Sequence, residues 1–202
     1  MVYCNRDYWI ISKMNGYEKR TQQKRRDILL ATKYLVSNIP MNSISILEIA
    51  SRANVSQVTI YNIFQNKKNL LDEAIKELSD EDIQDIWDIA SSDIPIQERL
   101  PLYFKASFEH SLKRPQHRFI LDYIFADAKS NLYKFVTEKY LATTPHLLRL
   151  YDDGIKAGMI RKNISKESFL KLLDICTRIE RHFFIVPDDR DLLIECIIHS
   201  FK

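Results

Sequence analysis

The stretch that decides the fold is SILEIASRANVSQVTIYNIF, residues 45–64. Ser45 followed three residues later by Glu48 forms a capping box, in which the Ser hydroxyl accepts the Glu48 amide and the Glu carboxylate returns to the Ser45 amide. A helix therefore opens at Ile46. Its apolar positions Ile46, Ile49, Ala50 and Ala53 share one face and run into Asn54, the residue that after Gly best tolerates left-handed backbone. Ser56 then caps a second short helix, Gln57 to Phe64, with Val55, Ile60 and Phe64 turned inward. Gln57, Val58, Thr59, Tyr61 and Asn62 are left pointing outward or sideways. Two short helices across a three- or four-residue turn, with Ala50 and Ala53 small enough to let them cross, have the geometry that lays a second helix in the DNA major groove. Spacing alone leaves an ordinary αα-hairpin as an equal alternative.

Upstream, Ile28, Leu29, Ala31, Thr32, Leu35 and Val36 recur at helical spacing from Thr21 onward, while Lys19, Arg20, Lys24, Arg25 and Arg26 load the opening turns. Asn38 to Asn42, with Pro40, ends that helix. Residues 1–17 show no helical period and read either as a disordered tail or as a mis-assigned start, with Met14 the true one. Downstream, Asn66 caps a third helix through Lys67, Lys68, Leu70, Leu71, Ala74, Ile75 and Leu78, expected to be shared by the two parts of the chain. Further helices are predicted at about 81–90, 96–113, 116–129, 131–142, 146–157, 166–184 and 189–201. Pro95, Pro115 and Pro145 suit first-turn positions, Pro101 should kink or delay its helix, and Gly154 and Gly158 loosen a helix end. The expected organisation is a domain at 18–78 and another at 79–202.

With 202 residues, 46% of them hydrophobic, the chain can bury a substantial core, and three Gly and six Pro are too few for a turn-rich β fold. An all-α protein follows: an N-terminal three-helix DNA-binding domain with a helix-turn-helix, then a helical ligand-binding and dimerisation domain. Charge is uneven. Residues 1–75 carry 11 Lys+Arg against 6 Asp+Glu and the remainder 19 against 21, a basic front on a near-neutral body that suits a polyanion at the N-terminal part alone. Three cysteines without a CxxC pair argue against a secreted disulfide framework, Tyr8 to Ile11 is too short for a signal peptide, and no apolar run reaches the ~20 residues of a membrane span. The expected location is the cytoplasm.

The residues Ile49-Ala50-x-x-Ala53-x-Val55-Ser56-x-x-Thr59-Ile60-Tyr61-x-x-Phe64-x-x-Lys67-x-x-Leu70 resemble the N-terminal pattern of the tetracycline-repressor (TetR) family. The resemblance covers 21 to about 75. Asn54 stands where that family usually has Gly, and Ile63 where it often has an aromatic residue or His. The resemblance implies that Gln57, Val58 and Asn62 face base edges, that Thr59 and Tyr61 bond phosphates, that Lys67 anchors a second phosphate, and that Ser45 presents an amide to the backbone. The chemistry agrees, because Gln and Asn match the paired donor and acceptor of adenine and Val58 can pack on a thymine methyl. For Tyr61 the alternative is core packing, and for Lys67 and Lys68 a solvated helix start. Cations there oppose the helix dipole unless an anion is present.

The same resemblance implies a repressor that binds a near-palindromic, double-stranded operator as a homodimer and is released by a small-molecule effector. It places the dimer contact on helices 166–184 and 189–201, through Phe169, Leu172, Leu173, Cys176, Ile179 and Phe183 on one and Leu192, Leu193, Cys196 and Ile197 on the other; intramolecular core competes for much of that surface. Trp87, Tyr103, Phe104, Tyr123, Arg178 and His182 are candidates for an effector pocket, although core packing accounts for most of the aromatics. An alternative reading is a protein of this fold that activates, or that regulates a protein partner instead of DNA. No metal, cofactor or enzymatic chemistry is expected. The histidines have no HExxH or ExxH spacing and no Gly-rich phosphate loop occurs. Ser168-x-x-Lys171 reads as an accidental match at a helix start.

Overall fold

Asn15 opens the first helix, and it does so earlier than the apolar period indicates. Its Oδ1 accepts the amides of Tyr17 and Glu18 at 3.0 and 2.9 Å, while Glu18 Oε2 accepts the Asn15 amide at 2.9 Å. That reciprocal box starts α1 at Gly16 instead of near Thr21, and α1 runs to Asn38. The computed structural model describes residues 15–113, 116–182 and 187–201, and the side chains at 110–113, 117, 118, 176–182, 187 and 188 lie outside that description. Expectations placed on residues 1–14 and on Pro115 also lie outside it.

Among the described residues the regular structure is all helical. After a 3₁₀ turn at Met41–Ser43 come α2 (Ile46–Arg52), α3 (Gln57–Phe64), α4 (Lys67–Ser91), α5 (Ile96–Lys113), α6 (His117–Phe125), α7 (Asn131–Ala142), α8 (Thr144–Lys156), α9 (Lys166–His182) and α10 (Pro187–Phe201). The chain divides into two units, residues 1–36 with 40–74, and residues 37–39 with 75–202. The division falls between Ala74 and Ile75, inside α4.

Four details differ from the sequence expectation. Helices expected at 67–78 and 81–90 are one, because Ser79 and Asp80 bridge them without a breaker and Asp80 pairs with Lys139 at 2.9 Å. The helix expected at 116–129 ends at Phe125. Pro101 does not delay α5, which starts five residues before it and continues through it. Gly154 loosens nothing. It is buried within α8, and a Cβ there would stand 2.6 Å from Ile160 Cδ1, so the glycine exists for a close approach. Gly158, at φ 70°, is the residue that stops α8.

In the first unit, Ile28, Leu35 and Val36 of α1, Ile49 of α2, Ile60 and Phe64 of α3 and Leu70 of α4 form the core. Each such side chain contributes about 1.5 to 3 kcal/mol by leaving water. The second unit is centred on Phe104 of α5, Phe169 of α9 and Phe201 of α10, with ring centroids 6.3 Å apart for Phe104–Phe201 and 5.5 Å for Phe169–Phe201. The last turn of α4 is secured from α5 and α8. Arg149 donates to Ser91 O at 2.8 Å and Arg99 to Ser92 O at 2.6 Å, and both guanidiniums meet the Asp153 carboxylate. No described helix is long and apolar enough to cross a membrane.

Candidate nucleic-acid interface

Ser45 Oγ accepts the Glu48 amide at 3.1 Å, which fixes the start of α2; the return bond from the Glu48 carboxylate is not made among the described residues. Helix α2 buries Ile46, Ile49 and Ala50 and stops at Asn54, whose φ of 52° is the left-handed conformation that the turn requires. Ser56 repeats the device, accepting the Thr59 amide at 3.1 Å to start α3. The eight residues of α3 then have two unlike sides. Ile60 and Phe64 are buried, whereas Gln57, Val58, Tyr61 and Asn62 are exposed, Val58 by 66% and Tyr61 by 46%. Tyr61 is therefore not a buried core residue. A valine and a tyrosine left this far in water beside two carboxamides form a mixed surface of the kind that reads base edges and thymine methyls.

Thr59 is placed differently from its neighbours. It is half-buried and its Oγ1 lies 2.9 Å from Ser56 Oγ; where Ser56 donates that bond, the single Thr59 hydroxyl proton is left to be donated outward.

The exit from α3 was not legible in the sequence. Gln65 adopts φ 68° and ψ −47°, and the Asn66 amide reaches back to Phe64 O at 2.8 Å, which makes a γ-turn of the strained, positive-φ type without a glycine. The turn swings the chain directly into α4, where Asn66 Oδ1 caps the Asn69 amide at 2.8 Å. It sets Lys67 at the first position of α4, one short turn beyond the exposed face of α3. Lys67 is half-buried and makes no ion pair among the described residues, whereas exposed Lys68 pairs with Asp72 at 2.6 Å. The two lysines are thus unequal, and Lys67 is the one still lacking a counter-charge at a dipole end that repels it.

Helix α1 braces this arrangement. Arg25 pairs with Glu73 of α4 and lays its guanidinium 4.7 Å from the centre of the Phe64 ring. On the α2 side, a groove of about 410 Å³ is lined by Leu35, Ser45, Leu47, Glu48, Ser51 and Arg52, with Arg52 stacked on Tyr34.

Four of the six effector candidates have described side chains, and they occupy different surroundings. Tyr103 and Phe104 are buried in the core of the second unit, packed edge to face with centroids 5.3 Å apart. Trp87 lies outside that cluster, stacked on His146 at 5.0 Å, with a buried indole N–H that has no hydrogen-bond partner among the described residues. Tyr123 is half-buried on α6, and the side chains of Arg178 and His182 lie outside the described residues. Of the residues predicted for dimer contact, Phe169 and Leu173 are core, Leu172, Leu193 and Ile197 are half-buried, and Leu192 and Cys196 are exposed on α10; Cys176, Ile179 and Phe183 are outside the description. Ile175, half exposed on α9, was not singled out. Ser168 Oγ accepts a bond from Ser165 Oγ and Lys171 pairs with Glu167, so this Ser-x-x-Lys string is occupied in building and stabilising a helix start.

Residues 28–74 match the family described as bacterial regulatory proteins, tetR family. No curated protein matches the chain. Among solved structures, a TetR-family transcription regulator from Marinobacter aquaeolei is 22% identical with a TM-score of 0.62, over 91% of this chain and 97% of its own. A TetR transcription regulator from Haloarcula marismortui is 17% identical with a TM-score of 0.67, over 89% and 94%. A fatty acid degradation regulator from Bacillus halodurans is 15% identical with a TM-score of 0.66, over 88% and 94%. At such identities the likeness is one of fold.

Proposed function

We propose, from the premise that this chain carries the TetR-family N-terminal region on the fold of TetR-family regulators, that it is a sequence-specific transcriptional regulator which binds a near-palindromic operator as a dimer. One observation carries the reading: the solvent face of α3 presents Gln57, Val58, Tyr61 and Asn62 while Ile60 and Phe64 anchor its other face. Gln57 and Asn62 read adenine edges and Val58 meets a thymine methyl. Tyr61 donates to a phosphate, as does Thr59 with Ser56 as the donor of the bond between their hydroxyls; Lys67 takes a second phosphate at the N-terminus of α4, and Ser45 adds a backbone amide.

One eight-residue helix reads too few bases to be selective, so two heads act together, about 34 Å or a multiple of it apart on the duplex. Leu192 and Cys196, four apart on α10, and Ile175 on α9 are apolar groups left exposed on a single chain, and they support contact with a second copy. Residues 18–78 are the DNA-binding domain and 79–202 the effector-binding and dimerisation domain. A small molecule bound by the second domain shifts the population between operator-competent and incompetent states through its differential affinity for them, and the bound protein represses. The unpaired indole N–H of Trp87 supports a place for Trp87 in that ligand site.

Gel-shift with the DNA upstream of the protein's own gene tests the proposal. Tight, salt-sensitive binding to an inverted repeat is expected; no binding even at low salt would refute it.

A further inference from the structure

Helix α1 extends about 18 Å, twelve residues at 1.5 Å each, before its first buried side chain, Ile28. Across residues 16–27 Tyr17 is the one large apolar side chain, and it is 73% exposed. The charge in residues 16–27 is five cations, Lys19, Arg20, Lys24, Arg25 and Arg26, against two carboxylates, Glu18 and Asp27. Glu18 is spent locally on the Asn15 cap, and Arg25 is held by Glu73 and Phe64. Lys19, Arg20 and Lys24 are exposed and make no ion pair among the described residues. Lys19 and Arg20 stand close to a helix start whose dipole disfavours cations, Arg20 and Lys24 repel one another four residues apart, and the carboxylate next along, Asp27, accepts from Gln23 and makes no ion pair with Lys24.

Their position is fixed by Arg25. Its guanidinium lies over Phe64, the last residue of α3, and on Glu73, within two turns of Lys67. The turn of α1 that precedes Arg25 therefore stands at the C-terminal end of the recognition helix, at the same end of the head as Lys67. We infer that the first turns of α1, Gly16–Lys24, are a second DNA-contact site, in which Lys19, Arg20 and Lys24 neutralise phosphates beside those reached by α3 and Lys67. The inference rests on reading α3 as the DNA-reading helix, but the segment lies upstream of residue 28, where the family match begins. An anionic membrane surface suits these residues less well, because an interfacial helix needs an apolar face and this stretch has none.

The site contributes affinity and no base preference. Each phosphate neutralised changes the slope of log K against log salt by about 0.9, so three add about 2.7 for each protomer bound, or roughly 40-fold extra loss of affinity between 50 and 200 mM salt. The test is a Lys19→Gln/Arg20→Gln/Lys24→Gln variant of the full chain beside a Lys19→Arg/Lys24→Arg variant, with salt-dependent operator binding, hydroxyl-radical footprints and thermal melts for both. The charge-removing variant should lose about 2.7 of slope per protomer, protect fewer backbone sugars, keep the wild-type order of preference among operator sequences, and melt no lower than wild type. The charge-keeping variant should bind as wild type. Operator binding with an unchanged slope and footprint would overturn the inference and leave the reading of α3 standing, whereas a wild-type protein that binds no DNA at low salt would remove both. Charge-dependent binding to phosphatidylserine vesicles together with an unchanged DNA slope would assign the cations to a membrane and overturn it as well.

Discussion

Replacing Lys67 by Ala should make the free protein more stable and its hold on DNA weaker. Lys67 is the first residue of a 25-residue helix, half-buried, without an ion pair among the described residues, and at the positive end of the dipole. A cation in that place costs about 0.3 to 1 kcal/mol, and its removal returns that amount, about 1 to 4 °C in Tm for a chain of this size. On DNA the sign reverses. Losing one phosphate contact lowers the salt slope by about 0.9 per protomer, which between 50 and 200 mM salt is a three- to fourfold change in how steeply affinity falls. Lys68→Ala is the internal control. Lys68 already has Asp72 at 2.6 Å, so the relief at the helix end is offset by the loss of a pair worth about 0.2 to 0.5 kcal/mol, and both Tm and slope should stay close to wild type. Thermal melts of free protein and fluorescence anisotropy on labelled operator over a salt series give both readouts. A lower Tm for Lys67→Ala, an unchanged slope, or an equal loss of slope in Lys68→Ala would each show that Lys67 holds no phosphate at the start of α4.

Gln57→Ala and Asn62→Ala should each cost about 1 to 3 kcal/mol of discrimination against operators altered at one position, measured by competition binding, with little change in salt slope. Gly154→Ala should destabilise the protein by about 1 to 3 kcal/mol in denaturant melts despite the better helix propensity of Ala, since its Cβ lands against Ile160, and Ile160→Ala in the same chain should recover part of the loss. Leu192→Glu should leave the fold intact by circular dichroism and shift the protein toward monomer in analytical ultracentrifugation, with a parallel loss of operator affinity.

The helical hairpin of α2 and α3 was legible because its decisive signals are local. Ser45, Ser56 and Asn66 each cap the helix that follows them, and Asn54 takes the left-handed turn, so the starts of α2, α3 and α4 and the end of α2 could be set from local residues. The outward set on α3 follows from the period once Ile60 and Phe64 are turned in. Periodicity failed where it had nothing apolar to act on. The first turns of α1 carry no apolar stripe, and the cue that does mark their start, Asn15 with Glu18 three residues on, is a capping pair. Gln65 was invisible for a related reason, because a positive-φ turn without Gly or Asn has no compositional mark. Gly154 misled because a glycine near a helix end usually ends it, whereas this one answers to Ile160, six residues on in the loop beyond the helix. Pairings in the second unit, such as Trp87 with His146, depend on which helices meet, and side-chain type alone does not encode that.

Base-analogue interference on the operator probes the contacts proposed for α3 one by one, since 7-deazaadenine removes the major-groove N7 acceptor and uracil removes the thymine methyl while both leave the minor groove unchanged. Interference is expected in two clusters whose centres lie about 10 base pairs, or a multiple of that, apart, with the adenine effects weakened in Gln57→Ala and Asn62→Ala protein. Binding indifferent to both analogues at every operator position would show that α3 does not read the major groove.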